Sequence, residues 1–132
     1  MALKKINKIY SDFDLNFSSH PVTGDVAMKY DVQAIKQALK TLVLTQFYER
    51  PFQPRLGSPI YGLLFENLDA ITANALQLQL DLLIAKHEPR ISSHKVVVTP
   101  LYDDNAFNVD IYFTAVGIPE PATYSTILKR RR

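Results

Sequence analysis

The chain has 132 residues, of which 47% are hydrophobic and 21% are charged. This length and balance fit one globular domain with a hydrophobic core and argue against wholesale disorder. The absence of cysteine excludes a disulfide framework and thiolate chemistry. The net charge of +2 owes much to the terminal run Lys129–Arg132, so the body of the chain lacks the basic field expected of a nucleic-acid-binding domain.

No stretch has the character of a secretory signal or a membrane span. Residues 1–10 lack an apolar core run. The longest apolar stretches fall well short of the roughly 20 residues that cross a bilayer. We therefore expect no membrane partner, and the absence of cysteine fits a cytoplasmic origin.

Residues 1–30 are predicted to form an arm that lies over a core, either the chain's own or a neighbour's. Apolar and polar residues alternate from Phe13 to Phe17, which favours a short extended piece. The stretches His20-Pro21 and Thr23-Gly24-Asp25 predict a turn.

A first helix is predicted to begin after Asp31, which is a good N-cap residue. It should end at about Phe47 or Tyr48. Its apolar residues recur at the three-and-four spacing of a buried stripe: Val32, Ile35, Leu39, Leu42 and Val43.

Residues 49–58 are predicted to be a loop, because two prolines fix an extended path and Gly57 can adopt φ values barred to other residues. We expect Phe52 and Leu56 to hold this loop against the core. Ser58 followed by proline predicts the start of a short helix that includes residues 63–65.

A long helix is predicted from Asp69 to Glu88, and it carries two apolar stripes. One consists of Ile71, Ala75, Leu78, Leu82 and Ala85, and the other of Leu76, Leu80, Leu83, Ile84 and His87. One apolar face is enough for a helix on a single core. The helix is therefore either sandwiched inside its own fold or buried on one side against a partner protein.

Two strands should follow the long helix and pair as an antiparallel hairpin. Residues 95–102 are rich in valine, residues 107–113 alternate apolar with polar, and residues 103–106 have turn composition. Phe107, Val109, Ile111 and Phe113 should face the core, and Pro100 should lie at an edge or a bulge. Since a lone hairpin is marginal, a third strand must come from residues 123–128 or from another chain.

The stretch Glu88-Pro89-Arg90 lies at the joint between the helical and β parts. Proline has no amide hydrogen and disfavours helical geometry at the residue before it, so the long helix should end there. The two charged side chains have two interpretations. They form a local ion pair that is purely structural, or they present a fixed carboxylate and guanidinium to a partner.

The residues give little support for catalysis or cofactor binding. His20, His87 and His94 lack metal-ligand spacing, and no phosphate-binding glycine motif is present. A glycosidase needs two carboxyl groups held on opposite sides of a cleft. Nothing in the sequence fixes any two of Glu49, Glu66 and Glu88 in that arrangement. We expect no enzymatic activity and no cofactor.

Several short motifs occur in an order that resembles a known family. They are Ile35–Leu39, Glu49-Arg50-Pro51-Phe52, Gly57-Ser58, Leu63–Glu66 and Glu88-Pro89-Arg90-Ile91 ahead of a hairpin. Together they resemble the small baseplate wedge proteins, or sheath initiators, of contractile bacteriophage tails, which have relatives in type VI secretion baseplates. The family was once labelled lysozyme-like. A departure from its pattern is Phe47-Tyr48, where the family often has glycine.

The resemblance implies an α+β fold with three helices packed on a small antiparallel sheet like the sheath subunit's interlocking domain. It implies a structural protein of the virion tail baseplate, present in multiple copies in a six-fold assembly. Its Glu-Pro-Arg motif would dock on the wedge core-bundle proteins, and its sheet would start tail sheath assembly by strand pairing. The central spike, hub or tube is a further candidate partner.

The residues expected to bind partners lie at the joint, in the loop and on the long helix: Glu88, Pro89, Arg90, Arg50, Phe52, Leu76, Leu80 and Leu83. The expected organisation is an arm over 1–30 and one α+β domain over 31–132, whose residues 119–132 form a C-terminal arm. Two other functions remain open from the residues. The chain could be a cell-wall hydrolase carried in the tail, or a protein that binds nucleic acid through its basic terminus.

Overall fold

The computed structural model describes residues 9–129, and these fall into two compact units that divide between Ala38 and Leu39. The strands are β1 (Ser11–Phe13), β2 (Met28–Tyr30), β3 (Ile91–Leu101), β4 (Ala106–Ala115) and β5 (Ile118–Lys129). The helices are α1 (Asp31–Leu44), α2 (Ile60–Leu63) and α3 (Ala70–His87). The predicted α+β class is confirmed. The observed division falls inside α1, whereas the predicted arm ended at residue 30.

In the first unit, the arm folds back on its own chain. Strands β1 and β2 pair antiparallel. The Asp31 carboxylate accepts hydrogen bonds from the backbone amides of Ile9 and Tyr10 at 2.8 and 3.1 Å. The side-chain amide of Gln37 donates to the Phe13 carbonyl at 2.6 Å. The arm is therefore fastened to α1 by polar contacts at both ends of β1. The predicted turn is present, since the Gly24 amide donates to the His20 carbonyl.

Asp14 is a buried acidic residue in the same unit. Its carboxylate accepts hydrogen bonds from the Ser18 hydroxyl and the Asn16 amide, and Lys29 lies 3.6 Å away. These groups favour the charged form, so the pKa of Asp14 is held below its usual value, with the Ser18 bond as the largest cause.

Helix α1 ends at Leu44, a few residues earlier than predicted, because the chain there makes contacts with Ser58 instead of continuing the helix. The buried Ser58 donates its hydroxyl to the Val43 carbonyl at 3.0 Å and its amide to the Thr45 carbonyl at 2.9 Å. These bonds satisfy carbonyls at the helix end. Residues 46 and 58 then form a parallel bridge, so the two ends of the loop lie next to each other.

Helix α3 begins and ends where the sequence predicts. The Asp69 carboxylate accepts a hydrogen bond from the Thr72 amide at 2.8 Å, which is the usual N-cap contact. That bond is the main reason why the pKa of Asp69 is lowered. At the other end, Glu88 is the C-cap residue and donates its amide to the Ile84 carbonyl. Among residues 9–129, no helix is long and apolar enough to cross a membrane.

The second unit contains an antiparallel sheet in the order β3-β4-β5. Its third strand comes from the chain's own C-terminal segment, which settles the alternative that the sequence left open. Helix α3 packs on β3, and α2 packs on α3. Pro100 lies on β3, an edge strand, as predicted. The residues of the central strand that were predicted to face the core are all buried: Phe107, Val109, Ile111 and Phe113.

A candidate docking site at the helix–sheet joint

The joint between α3 and β3 is built around an ion pair. The Arg90 guanidinium donates from Nε to Glu88 Oε1 at 2.8 Å and from Nη2 to Oε2 at 3.0 Å. The Arg90 backbone amide also donates to Oε1, at 3.3 Å. The Glu88 side chain is only 6% exposed and that of Arg90 is 23% exposed. The pair is thus a bidentate fork with one member buried, which is stronger and more directional than a solvated pair.

The joint is also fastened to the β4–β5 turn, which lies at the same end of the sheet as the start of β3. The Arg90 carbonyl accepts a hydrogen bond from the Val116 amide at 2.8 Å, and Val116 lies in the turn between β4 and β5. Ile91 then pairs with Ala115, followed by a register shift. The last turn of α3 and the start of the sheet are therefore held as one rigid corner.

A second polar contact ties α3 to β3. His94 Nε2 lies 2.8 Å from Asp81 Oδ1, and the Asp81 side chain is about half exposed. Sequence reasoning treated His94 as incidental. No local signal could have found this pair, because its partners lie on different elements and meet only when α3 packs on β3.

The two stripes of α3 have different environments. Leu76, Leu80 and Leu83 are 0%, 0% and 6% exposed, so they form the chain's own core. Their assignment to a partner surface is therefore wrong. The other stripe faces outward: Ile71, Leu78 and Leu82 are 79%, 59% and 58% exposed. Among the described residues nothing covers this face, so the helix is not sandwiched within this chain.

The loop between α1 and α2 presents aromatic side chains to the outside. Phe52 is fully exposed, so the prediction that it packs on the core is wrong, whereas Leu56 is half-buried. Phe52 and Tyr48 have φ values of 66° and 65°. Bulky residues rarely adopt positive φ, and such strain tends to collect at functional loops. Arg50, the other loop residue predicted to bind a partner, is exposed.

Gly57 explains how the loop keeps this shape. Its φ is 152°, and a Cβ atom placed there would lie 2.5 Å from the Gln46 carbonyl carbon. Only glycine allows the two ends of the loop to approach so closely. The Tyr48 amide donates to the Pro54 carbonyl and the Glu49 carboxylate accepts from the Gln46 amide, so the loop is ordered by its own contacts.

The loop and the C-terminal half of α3 enclose two grooves. One, of about 570 Å³, is lined by residues 52–56, Lys86 and His87. The other, of about 120 Å³, is lined by Phe47, Arg55, Leu82 and neighbouring residues. The described residues contain no cluster of side chains suited to hold a metal ion.

The acids considered for hydrolysis have separate roles. Glu88 is engaged by Arg90, Glu49 accepts a backbone amide of its own loop, and Glu66 is exposed. The geometry gives no support to a pair of carboxyl groups placed across a cleft.

The described residues define a small α+β domain in which a rigid helix–sheet corner supports a three-stranded meander. Residues 30–119 match the family model described as baseplate wedge protein gp25, and the chain belongs to this family. It is 32% identical over 118 residues to baseplate wedge protein gp25 of Enterobacteria phage T4, which covers 89% of each chain. The chain is therefore a structural component of a tail baseplate, as the resemblance implied.

Solved structures share the fold. A provisionally named tail lysozyme from Geobacter sulfurreducens superposes with a TM-score of 0.69 at 17% identity, over 75% of this chain and 90% of that one. A chain of the anti-feeding prophage baseplate, solved by cryo-EM with six-fold symmetry, superposes with a TM-score of 0.63 at 20% identity, over 93% and 87% of the two chains. At these identities the likeness shows the fold alone.

Proposed function

We propose that this protein is an adaptor that docks on the wedge core-bundle proteins through the corner Glu88-Pro89-Arg90. The observation that carries the proposal is the bidentate pair at that corner, with contacts of 2.8 and 3.0 Å. Because the Glu88 carboxylate already holds the Arg90 guanidinium in place, binding a partner costs little side-chain conformational entropy at this residue. The exposed Arg50 and Phe52 form part of the same proposed docking surface.

The proposal includes a second task, the start of sheath assembly by strand pairing. Strands β3 and β5 are the two edges of the sheet, and no further strand among residues 9–129 pairs with either. An open edge offers unpaired amides and carbonyls, and these give affinity with little sequence demand. Along β5, residues 122–129 pair with β4 in continuous register and contain no proline, which favours this edge.

The other partners and the location follow from the baseplate role. We infer that the protein works in the virion tail, in multiple copies of a six-fold baseplate, after synthesis in the host cytoplasm. The spike, hub or tube is a further candidate neighbour. The relative from phage T4 and the fold shared with an anti-feeding prophage baseplate chain support this placement.

The docking test needs a variant that removes the charges without unfolding the corner. Arg90→Ala alone would leave the Glu88 carboxylate buried and unpaired, at a cost of about 3–5 kcal/mol. We therefore choose Glu88→Met/Arg90→Met, because apolar replacement of both partners is often nearly neutral. Wild type should co-purify with the other core-bundle proteins and the double variant should not, although both unfold at similar temperatures.

Equal co-purification of the two forms would show that the corner is a structural ion pair only. The matched control is Lys40→Met, which removes an exposed charge from α1. This control should leave both the melting temperature and the co-purification unchanged.

We also propose that the protein is not an enzyme. The name of the similar Geobacter structure belongs to that protein. Of the acids considered for hydrolysis, Glu88 is engaged by Arg90, Glu49 accepts a backbone amide of its own loop and Glu66 is exposed, so they give no support to a glycosidase pair. The purified protein should leave a peptidoglycan zymogram blank. A clearing band that disappears in Glu66→Gln or Glu88→Gln would contradict the proposal.

A further inference from the structure

The outward side of α3 forms a continuous apolar strip, here called the exposed α3 face. It consists of Ile71, Ala75, Leu78, Leu82 and Ala85. These residues follow one another at intervals of four, three, four and three along about 21 Å of helix. Since the opposite side of the helix already fills the core, the exposed α3 face is surplus to what this fold requires.

The spacing of this face specifies the shape of what could cover it. Alternating intervals of four and three are those of the a and d positions of a coiled coil. Such a seam accepts a second helix that crosses at about 20°, with side chains of one helix seated between those of the other. The small residues Ala75 and Ala85 leave room for large side chains of the partner.

The groove beside the exposed α3 face is lined by positive charges without negative ones. Arg55 and Lys86 line the groove between α3 and the preceding loop, and no carboxylate lines it. The larger groove beside it has the same two cations and again no acid in its lining. The one acid on α3, Asp81, is already paired with His94.

We propose that the exposed α3 face binds an acidic amphipathic helix of another protein. The helix would place large apolar residues on the seam and Glu or Asp side chains beside Arg55 and Lys86. A second copy of this chain fits less well, because its own face has cations at the same flank and no spare carboxylate. The inference rests on the proposed function for its choice of a protein partner.

The test uses a labelled synthetic helix of about 20 residues, which is about 30 Å long and therefore covers the whole seam of about 21 Å. It has Leu and Ala at the seam positions and Glu along one flank, and a second peptide has Lys in place of Glu. Wild-type protein should bind the Glu peptide on the order of tenfold more tightly than the Lys peptide in low salt, because the flank charges differ. Fluorescence anisotropy measures both affinities.

Two variants separate the apolar and the charged contributions. Leu78→Asn/Leu82→Asn, which adds no charge, should weaken binding of the Glu peptide by at least about tenfold. Arg55→Glu/Lys86→Glu should reverse the preference in favour of the Lys peptide. Val22→Asn is the matched control, since Val22 is an exposed apolar residue on the arm, 87% accessible, and its replacement should change neither affinity.

Equal affinity for the two peptides, or no binding of either, would overturn the proposal. So would a dimer of the wild-type chain in sedimentation that Leu78→Asn/Leu82→Asn abolishes, because the face would then be a self-interface. The proposed docking at Glu88 and Arg90 is tested by a different experiment, so either proposal can fail without the other. Peptide selectivity is read from the isolated protein, whereas co-purification depends on the wedge proteins.

Discussion

Gly57 shows how much of the loop's shape depends on one residue. A Cβ atom at this position would lie 2.5 to 2.7 Å from backbone atoms of Gln46 and Phe47, which is too close to fit. The neighbouring Ser58 holds the end of α1 through its hydroxyl and amide. The loop that presents Phe52 is therefore closed by a backbone-to-backbone contact that tolerates no side chain.

We predict that Gly57→Ala destabilises the protein by about 2–4 kcal/mol, because it combines a strained φ with a backbone clash. The free energy of unfolding, measured by urea denaturation, checks this value. The chain contains a matched control in Gly62, which lies in α2 with no atom within 4 Å of the site of a Cβ.

The control variant Gly62→Ala should be neutral or stabilise by up to about 1 kcal/mol, since alanine favours helices over glycine. A Gly57→Ala variant as stable as wild type would show that the loop closes in some other way.

At the same scale, the sequence predicted the corner better than it predicted the loop. Glu88 and Arg90 are separated only by a proline, so their ion pair is local and visible in the sequence. Phe52 was expected to hold the loop against the core, yet it is fully exposed. Its outward position depends on a positive φ of 66°, which no residue pattern of the loop signals.

Among the elements, helix α3 shows which features a sequence pattern predicts and which it does not. Its bounds were predictable, because Asp69 is an N-cap residue and Pro89 forbids continuation. Its two apolar stripes were also visible. The choice of the buried stripe was not, since both stripes are apolar and the choice is made by long-range packing on β3.

The sheet was predicted more fully, because a single buried face imposes an alternating pattern. Phe107, Val109, Ile111 and Phe113 all point into the core. The pattern did not specify the donor of the third strand. Pro119 and Pro121 suggested a separable segment, yet β5 pairs with β4 at Ile118 and again from Ala122 to Lys129, so both prolines lie at the irregularity in the register.

For the whole molecule, the open edge of β5 is the feature that links the fold to an assembly. The strand pairs with β4 on one side, and no other strand among the described residues lies on its outer side. Successive amides of a strand point to opposite sides, so one of any two neighbouring residues on β5 aims its amide outward. A proline at that residue removes a donor for an incoming strand and leaves the ladder with β4 intact.

Thr123→Pro and Tyr124→Pro form such a neighbouring pair. We predict that one variant, with the outward amide removed, keeps a melting temperature close to that of wild type but starts sheath assembly at least about tenfold less often. The other should lose a ladder bond and melt several degrees lower, because about 1–3 kcal/mol is lost. Thr123→Ala, which keeps the amide, should start sheath normally. If the stable proline variant starts sheath as often as wild type, when sheathed tails are counted by electron microscopy, β5 is not the edge that sheath extends.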